Sequence, residues 1–375
     1  MPKGKLFSRK IKLRIEVCST CMKMCRDVCP TAIATSSESF TPYIRTLMVN
    51  LNLKNIRSYD ENSLDIIFSC LTCNLCNEYC LPEVGVEELI TISRTDIVRS
   101  GIDVSKYSRI SENIKKYHNP LGENNENRFN SIKNIIPDEK NTDTLLFLGC
   151  MSSFRELEIA KSTIEILKKL KIKFILMDQE QCCGSPAIRT GFLDTAIEKM
   201  KHNVNEWRKL GIKNIITPCS ACYRTISEEY RKYIEDFDFK VNHIVQIIKD
   251  NLDKLMFKQL KAKLTYHDPC HLGRAMKVYD EPRDIIKKIP DISFIEFDQN
   301  REKSFCCGAG GGVRVNFPDL SKKIGVIRVN NAHEIGAEYL ISACPLCKYH
   351  FKNSENIGKI KVLDITELIN NLIEY

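Results

Sequence analysis

Thiolates are the preferred protein ligands of iron–sulfur clusters and bind zinc equally readily, and this chain of 375 residues carries 18 cysteines in two kinds of array. In the first kind, Cys70, Cys73, Cys76 and Cys80 follow a Cys-x2-Cys-x2-Cys-x3-Cys spacing. That spacing wraps a cubane [4Fe–4S] cluster with three close thiolates and lends the fourth to a second cluster. Zinc sites more often show two well-separated Cys-x2-Cys pairs. Cys18, Cys21, Cys25 and Cys29, followed by Pro30, form a companion motif with one extra residue between its second and third cysteines. The loop must absorb that residue or hold an altered cluster. The swapped scheme assigns Cys18, Cys21, Cys25 and Cys80 to one cubane, and Cys70, Cys73, Cys76 and Cys29 to the other.

The second array is a duplication. Cys150, the pair Cys182-Cys183 before Gly184, and Cys219 with Cys222 recur as Cys270, Cys306-Cys307 before Gly308, and Cys344 with Cys347. Cys150 to Cys182 and Cys183 to Cys219 span 32 and 36 positions; Cys270 to Cys306 and Cys307 to Cys344 span 36 and 37. A five-cysteine pattern repeated at nearly equal steps marks an internal repeat. Five thiols exceed the needs of one tetrahedral zinc or one cubane. Adjacent cysteines suit neighbouring irons of a larger cluster, and the glycine after each pair lets backbone approach closely.

The elements that position these thiols alternate in period. Residues 144–148, 173–177 and 214–217 read as buried strands, and 264–267, 294–297 and 339–342 as their counterparts. Between them, Leu157, Ala160, Ile164 and Leu167 recur at helical steps, as do Ile197, Met200, Val204 and Trp207 before the closing Gly211; 319–334 is a further helix. Alternation of this kind predicts α/β lobes with largely parallel sheets. Cys150, Cys182, Cys219, Cys270 and Cys344 each follow a predicted strand, which would set them on one rim, at the carboxyl ends of the strands. The long gap from Cys29 to Cys70, with a helical stretch at 43–53, favours a helical rather than a β-hairpin ferredoxin domain. The expected class is α+β multidomain: an α-helical ferredoxin part (1–107), a polar linker (108–142) with room for a short helix, and two pseudo-repeated α/β lobes (143–255 and 256–375).

The net charge of +8 is modest, and no apolar run reaches the length of a membrane span. Lys3, Lys5, Arg9, Lys10, Lys12 and Arg14 crowd the N-terminus without the apolar segment of a signal peptide. They read as a solvated terminus or as a docking point for an acidic partner or anionic membrane. The weak basic excess and the lack of aromatic–basic interleaving argue against nucleic-acid binding. A cytoplasmic location, or a peripheral one at the inner face of the membrane through a partner, is expected. Gly310-Gly311-Gly312 is no phosphate loop, since Cys306-Cys307-Gly308 precedes it and no Gly-Lys-Ser/Thr follows.

The paired Cys-Cys-Gly segments, Tyr266-His267-Asp268-Pro269-Cys270-His271-Leu272-Gly273-Arg274 and Cys344-Pro345-Leu346-Cys347 resemble the cysteine-rich domain of heterodisulfide reductases. A two-cluster ferredoxin part followed by two such repeats is similar to the D-type subunit of heterodisulfide reductase, and to the iron–sulfur subunits of glycolate, lactate and anaerobic glycerol-3-phosphate dehydrogenases. The resemblance implies a noncubane [4Fe–4S] cluster on Cys150, Cys182, Cys183, Cys219 and Cys222, and another on Cys270, Cys306, Cys307, Cys344 and Cys347, with zinc in one repeat as the minority alternative. It implies reduction of a small disulfide by electrons entering at the ferredoxin part, or a relay from a flavoprotein to quinone. In either case it implies a redox partner subunit: a flavoprotein or a membrane cytochrome. A zinc-stabilised scaffold is the reading from another class. His267 and His271 flank Cys270 and are candidate proton donors, with orientation of the loop as the plainer role. Arg224, Arg274 and Arg314 lie near cysteine loops, as anion-binding groups or as surface ion pairs.

Overall fold

The structure, a computed structural model, describes residues 6–137, 139 and 141–374, so Lys3 and Lys5 of the basic N-terminus lie outside the described residues. Up to residue 143 the described chain is helical, with α-helices Arg9–Ser19, Pro30–Thr35, Pro42–Leu53, Glu61–Phe68, Val86–Arg99 and Ser105–Tyr117. Local chemistry sets their ends. Pro30 and Pro42 open their helices, where a missing N–H costs nothing, and Asp60 and Ser63 close a reciprocal capping box. The helical ferredoxin type expected from the Cys29–Cys70 gap is the one observed.

Two parallel sheets follow. The first holds β1 (Thr144–Leu146), β2 (Asn214–Thr217) and β3 (Lys240–His243) in the order β1-β2-β3. The second holds β4 (Ala262–His267), β5 (Ile292–Phe294), β6 (Tyr339–Ser342) and β7 (Lys361–Asp364) in the order β5-β4-β6-β7. The expected strand at 173–177 is a single bridge instead: Ile175 pairs with Leu145 outside β1, where β5 pairs with β4 in the second copy. With that bridge in place of β5, the two copies share one topology. Sequence periodicity did not mark β3 and β7, which each begin on an exposed lysine, contain partly exposed positions and close each sheet at its far edge.

The repeats pack on each other through helices Leu157–Lys169 against Ile365–Leu372 and Ile244–Asp250 against Asp280–Lys287. Leu146, Ile216, Ile244, Leu264, Tyr266, Ile341 and Ile365 belong to one shared apolar core. Lys348 of the second repeat, buried, joins Glu156 of the first (2.5 Å) and Glu367 (2.7 Å). Charges buried this way keep a fixed register, because leaving any one unpaired is costly.

Helix Ser105–Tyr117 runs across position 107, and the polar stretch after it folds onto the first repeat. Its Arg128 is buried against Glu180 at 2.7 Å, and the His118 carbonyl accepts from the Cys182 amide at 2.8 Å. A composition rich in Asn and Glu reads as linker, yet a buried arginine and backbone contacts fix it to the fold.

Candidate iron–sulfur centres

Every described cysteine is a free thiol. In the ferredoxin part, Cys18 has Cys80 and Cys21 as charge neighbours, and Cys25 has Cys18, Cys29 and Cys80. The neighbours of Cys76 are Cys73, Cys29, Cys70 and Cys25. The neighbours cross between the outer set of the swapped scheme (Cys18, Cys21, Cys25, Cys80) and the inner one (Cys29, Cys70, Cys73, Cys76), at Cys25–Cys29 and Cys76–Cys25. The extra residue of the first motif falls in a left-handed bend at Lys23 (φ 68°), whose carbonyl accepts from the Arg26 amide. Burial pushes the Cys18 thiol up to about 11 and the Cys25 thiol up to about 12. Such thiols are ligands that a cation must deprotonate on binding. Arg45, fully buried, donates to Cys29 Sγ (3.6 Å), Thr31 Oγ1 (2.7 Å) and the Ile66 carbonyl (2.9 Å), holding the inner set in place.

In the first repeat Cys150 opens a short helix after β1, Cys182-Cys183 lies in the loop after Ile175, and Cys219 with Cys222 straddles a turn of helix after β2. Cys150 hydrogen-bonds Cys182, and Cys183 bonds both Cys182 and Cys222. Gly149 is required here: a Cβ on it would sit 2.9 Å from Cys222 Sγ, and its φ is +75°. The second repeat repeats the arrangement: Cys306 bonds Cys270 and Cys307, and the sulfurs of Cys307 and Cys347 are 3.3 Å apart. Five thiols crowded without a disulfide are a donor set for a polynuclear metal group. His267, Cys307 and Cys347 also present ligand atoms within 4.8 Å of one another, a set compatible with zinc.

The groups adjoin in sequence. Cys25 of the outer set neighbours Cys29 of the inner. Cys73 of the inner set meets Cys306 of the second repeat, a hydrogen bond that, with Arg274, draws the Cys73 thiol down to about 6. Hydrogen bonds from Cys222 and Cys344 hold Cys219 well below the ordinary thiol range, so the two repeats touch through their own cysteines. Ser220 Oγ donates to the Ala343 carbonyl at 2.5 Å and brings those rims together.

Backbone contacts lock the junction between ferredoxin part and repeats. Buried Arg94 donates to the carbonyls of Cys70 (2.8 Å), Arg189 (2.6 Å) and Gly311 (3.0 Å), one from each of the three parts. A Cβ on Gly311 would lie 2.3 Å from the Cys70 carbonyl oxygen. Gly310 and Gly311 are therefore a packing surface for the Cys70–Leu71 backbone, and Gly312 lies against Thr190.

Arg274 is buried and donates to the carbonyls of Cys73 (2.7 Å) and Ser304 (2.5 Å), between the inner set and the second repeat. The surface ion pair offered as its alternative is overturned. Arg224 is partly buried against Glu87 at 3.1 Å, while Arg189, buried, reaches Glu87 (2.6 Å) and Glu229 (2.8 Å). Arg314 stacks on the Tyr349 ring at 4.4 Å. His267 is buried and His271 partly so, and desolvation lowers the pKa of each imidazole, with Arg224 and Arg189 adding to the effect at His271. His267 Nδ1 accepts from Arg328 at 3.4 Å and the ring hydrogen-bonds Cys307. His271 Nδ1 has no partner among the described residues. Spacing could not have revealed Arg45, Arg94, Arg128, Arg189, Glu87 or Glu180, since a lone charged residue in sequence carries no sign of burial.

The folds and thiol arrays define a two-cluster ferredoxin joined to a duplicated cysteine-rich domain. Residues 144–227 and 264–352 match the family described as "Cysteine-rich domain", and residues 17–84 match "4Fe-4S dicluster domain". The chain belongs to the family of iron–sulfur oxidoreductases that includes the D-type subunit of heterodisulfide reductase. That subunit of the dihydromethanophenazine:CoB–CoM heterodisulfide reductase of Methanosarcina barkeri is 36% identical over 320 residues, covering 82% of this chain and 78% of its own length. The B-type subunit of the CoM/CoB fumarate reductase of Methanothermobacter marburgensis is 29% identical over 308 residues, covering 81% of this chain and 61% of its own. Among solved structures, a glutamate racemase from Francisella tularensis overlaps 62% of this chain and 80% of its own at 13% identity and a TM-score of 0.30, too slight to bear on the fold.

Proposed function

We propose that this chain is the electron-carrying and disulfide-reducing subunit of a larger complex, its eighteen cysteines holding two cubane and two noncubane [4Fe–4S] groups. The observation that carries the reading is that the thiol sets adjoin: Cys25 has Cys29 as a charge neighbour, Cys73 hydrogen-bonds Cys306, and Cys344 hydrogen-bonds Cys219. Bound iron–sulfur groups supply one-electron carriers, and a disulfide needs two electrons and two protons to become two thiols. The residues of the chain do the rest. Arg274 sits between the inner set and the second repeat and stabilises negative charge on both sides. His267, buried, and His271, partly buried, are both held toward the neutral form beside the second set and could hold or pass a proton. A cleft of about 480 Å³ lined by Arg189, Arg224, Glu87 and Glu229, whose two arginines are charge neighbours of His271, is the proposed access for a small disulfide.

A relay reading has support of its own: the EtfAB:quinone oxidoreductase of Syntrophomonas wolfei aligns over 84% of this chain at 26% identity. Zinc on His267, Cys307 and Cys347 would leave one noncubane group. The partner in either case is a redox protein of the same complex, and among the described residues no helix is long and apolar enough to cross a membrane. Metal and sulfide analysis of anaerobically prepared protein should give iron in the ratio of four clusters, and reduced viologen should drive disulfide cleavage. Clusters without any disulfide turnover would favour the relay; absence of iron–sulfur absorption would remove both readings.

A further inference from the structure

The outer thiol set has an apolar collar that the fold leaves uncovered. Val17 precedes Cys18, Met22 follows Cys21, Met24 precedes Cys25 and Leu81 follows Cys80, so each of the four thiols has an exposed large apolar side chain as its chain neighbour. Met22 is 89% exposed and Leu81 81%, more than any other large apolar residue of the described chain. Leu13 extends the collar along helix Arg9–Ser19, since positions 13 and 17 share a face. Exposed apolar surface of this kind, gathered at one place, marks an interaction site, and methionines adapt to a partner's shape at low cost.

The same helix face continues to Arg9 and Lys10, four and three residues before Leu13, both exposed. Neither of them, nor Lys12, has a carboxylate partner among the described residues. The nearby acids are largely engaged: Glu16 pairs with Lys54 at 2.9 Å, and Asp27 with Arg26 at 3.2 Å. Glu83, beside Leu81, is the remaining exposed acid. An apolar centre with a net basic rim fits a partner with an apolar centre and a carboxylate rim, because complementary charge raises the rate of encounter and sets its orientation. An anionic membrane would meet the charge requirement as well. The ring of thiols beneath the collar favours a redox protein, since a partner seated there lies directly over Cys21, Cys25 and Cys80, which are only partly covered.

We propose that the collar of Leu13, Val17, Met22, Met24 and Leu81, rimmed by Arg9 and Lys10, is the docking surface for an acidic one-electron donor protein. One electron leaves the reduced centre of the donor and enters the group held by Cys18, Cys21, Cys25 and Cys80; no bond forms or breaks and no proton moves. The inference rests on the reading that these thiols hold an electron carrier, and is independent of whether a disulfide is the final acceptor.

The test follows the reduction of the cluster-loaded full chain by stopped-flow absorbance, with a reduced acidic plant-type ferredoxin as the protein donor and reduced methyl viologen as a small donor that needs no docking. Met22→Asp combined with Leu81→Asp should slow the ferredoxin reaction at least tenfold and leave the viologen rate unchanged. Arg9→Glu with Lys10→Glu, which keeps the apolar collar, should slow it severalfold at low salt, with the difference fading as salt rises. An unchanged ferredoxin rate in both variants would overturn the proposal. So would an equal loss of both rates, which would make these residues supports of the thiol loop. Stable cosedimentation with phosphatidylserine vesicles at physiological salt, abolished by the same substitutions, would assign the surface to a membrane instead.

Discussion

Alanine at Gly311 tests the junction that joins the ferredoxin part to the second repeat. Two costs arise and can be separated. The first is conformational: φ at Gly311 is +61°, and a Cβ there costs about 1–2 kcal/mol. The second is steric, because the new Cβ would lie 2.3 Å from the Cys70 oxygen and 2.8 Å from the Leu71 carbonyl carbon, so the two backbones must part until the contact exceeds 3.0 Å. That movement strains the Arg94 bonds to the Gly311 carbonyl (3.0 Å) and the Cys70 carbonyl (2.8 Å). At a net of about 1 kcal/mol each, plus lost packing, the steric share is about 2–3 kcal/mol. Gly101→Ala is the internal control, with φ at +78° and nothing within 4 Å of the added Cβ. Hydrogen exchange read by mass spectrometry over 67–74 and 308–314 reports the local opening. Protection there should fall about 30- to 150-fold more in Gly311→Ala than in Gly101→Ala, as follows from about 1.4 kcal/mol per decade. Electron transfer from the ferredoxin part to the repeats should slow in parallel. Equal effects of the two alanines would refute the reasoning, because only the conformational term would then be at work.

Asp364, the buried N-cap of the last helix, is pushed up to about 7 by burial. A raised folded pKa means that its contribution to stability is complete below the unfolded value of about 4 and is lost as pH rises through 7. Asp364→Asn, which keeps an oxygen for the Thr366 amide, should therefore gain up to about 3–4 kcal/mol over the parent at pH 8 and little at pH 4, read from urea midpoints; parallel pH profiles would count against it. Arg128→Met leaves the Glu180 carboxylate, which accepts from the amides of Leu148 and Gly149, buried without its cation, at a cost of about 3–5 kcal/mol. Arg128→Met with Glu180→Gln should recover part of that loss in thermal or urea unfolding, and a double variant as unstable as the sum of the two would exclude the pairing. Cys219→Ser or Cys344→Ser should remove disulfide turnover while the low-temperature EPR signals of the ferredoxin part persist; turnover at the parent rate would move catalysis away from the contact between the repeats.

The covalent pattern of the thiols carried much of this protein's character. Eight cysteines at ferredoxin spacing and two sets of five at matching steps are chemical statements made by residue type and interval alone. The strands β1, β2, β4 and β6 were legible because buried parallel strands read as short apolar runs. β3 and β7 were not, since edge strands with exposed positions give no such run, and the run at 173–177 is as apolar as its neighbours yet pairs through one bridge. The reading of 108–142 as a linker followed composition, which cannot show that Arg128 turns inward to Glu180.

Tertiary structure alone decided which thiol set touches which. Cys73 and Cys306 are 233 positions apart in the chain, and Cys219 and Cys344 are 125; no local rule relates them. Their approach depends on backbone meeting backbone at Gly311 and on Arg94, whose donors satisfy carbonyls from three separate parts. The sequence by itself determined the inventory of thiols and their spacing, because these depend on residue type and interval alone. The order in which the thiol sets adjoin, and the outer set left only partly covered at the surface, were decided by long-range packing, in which buried polar groups accept few alternatives.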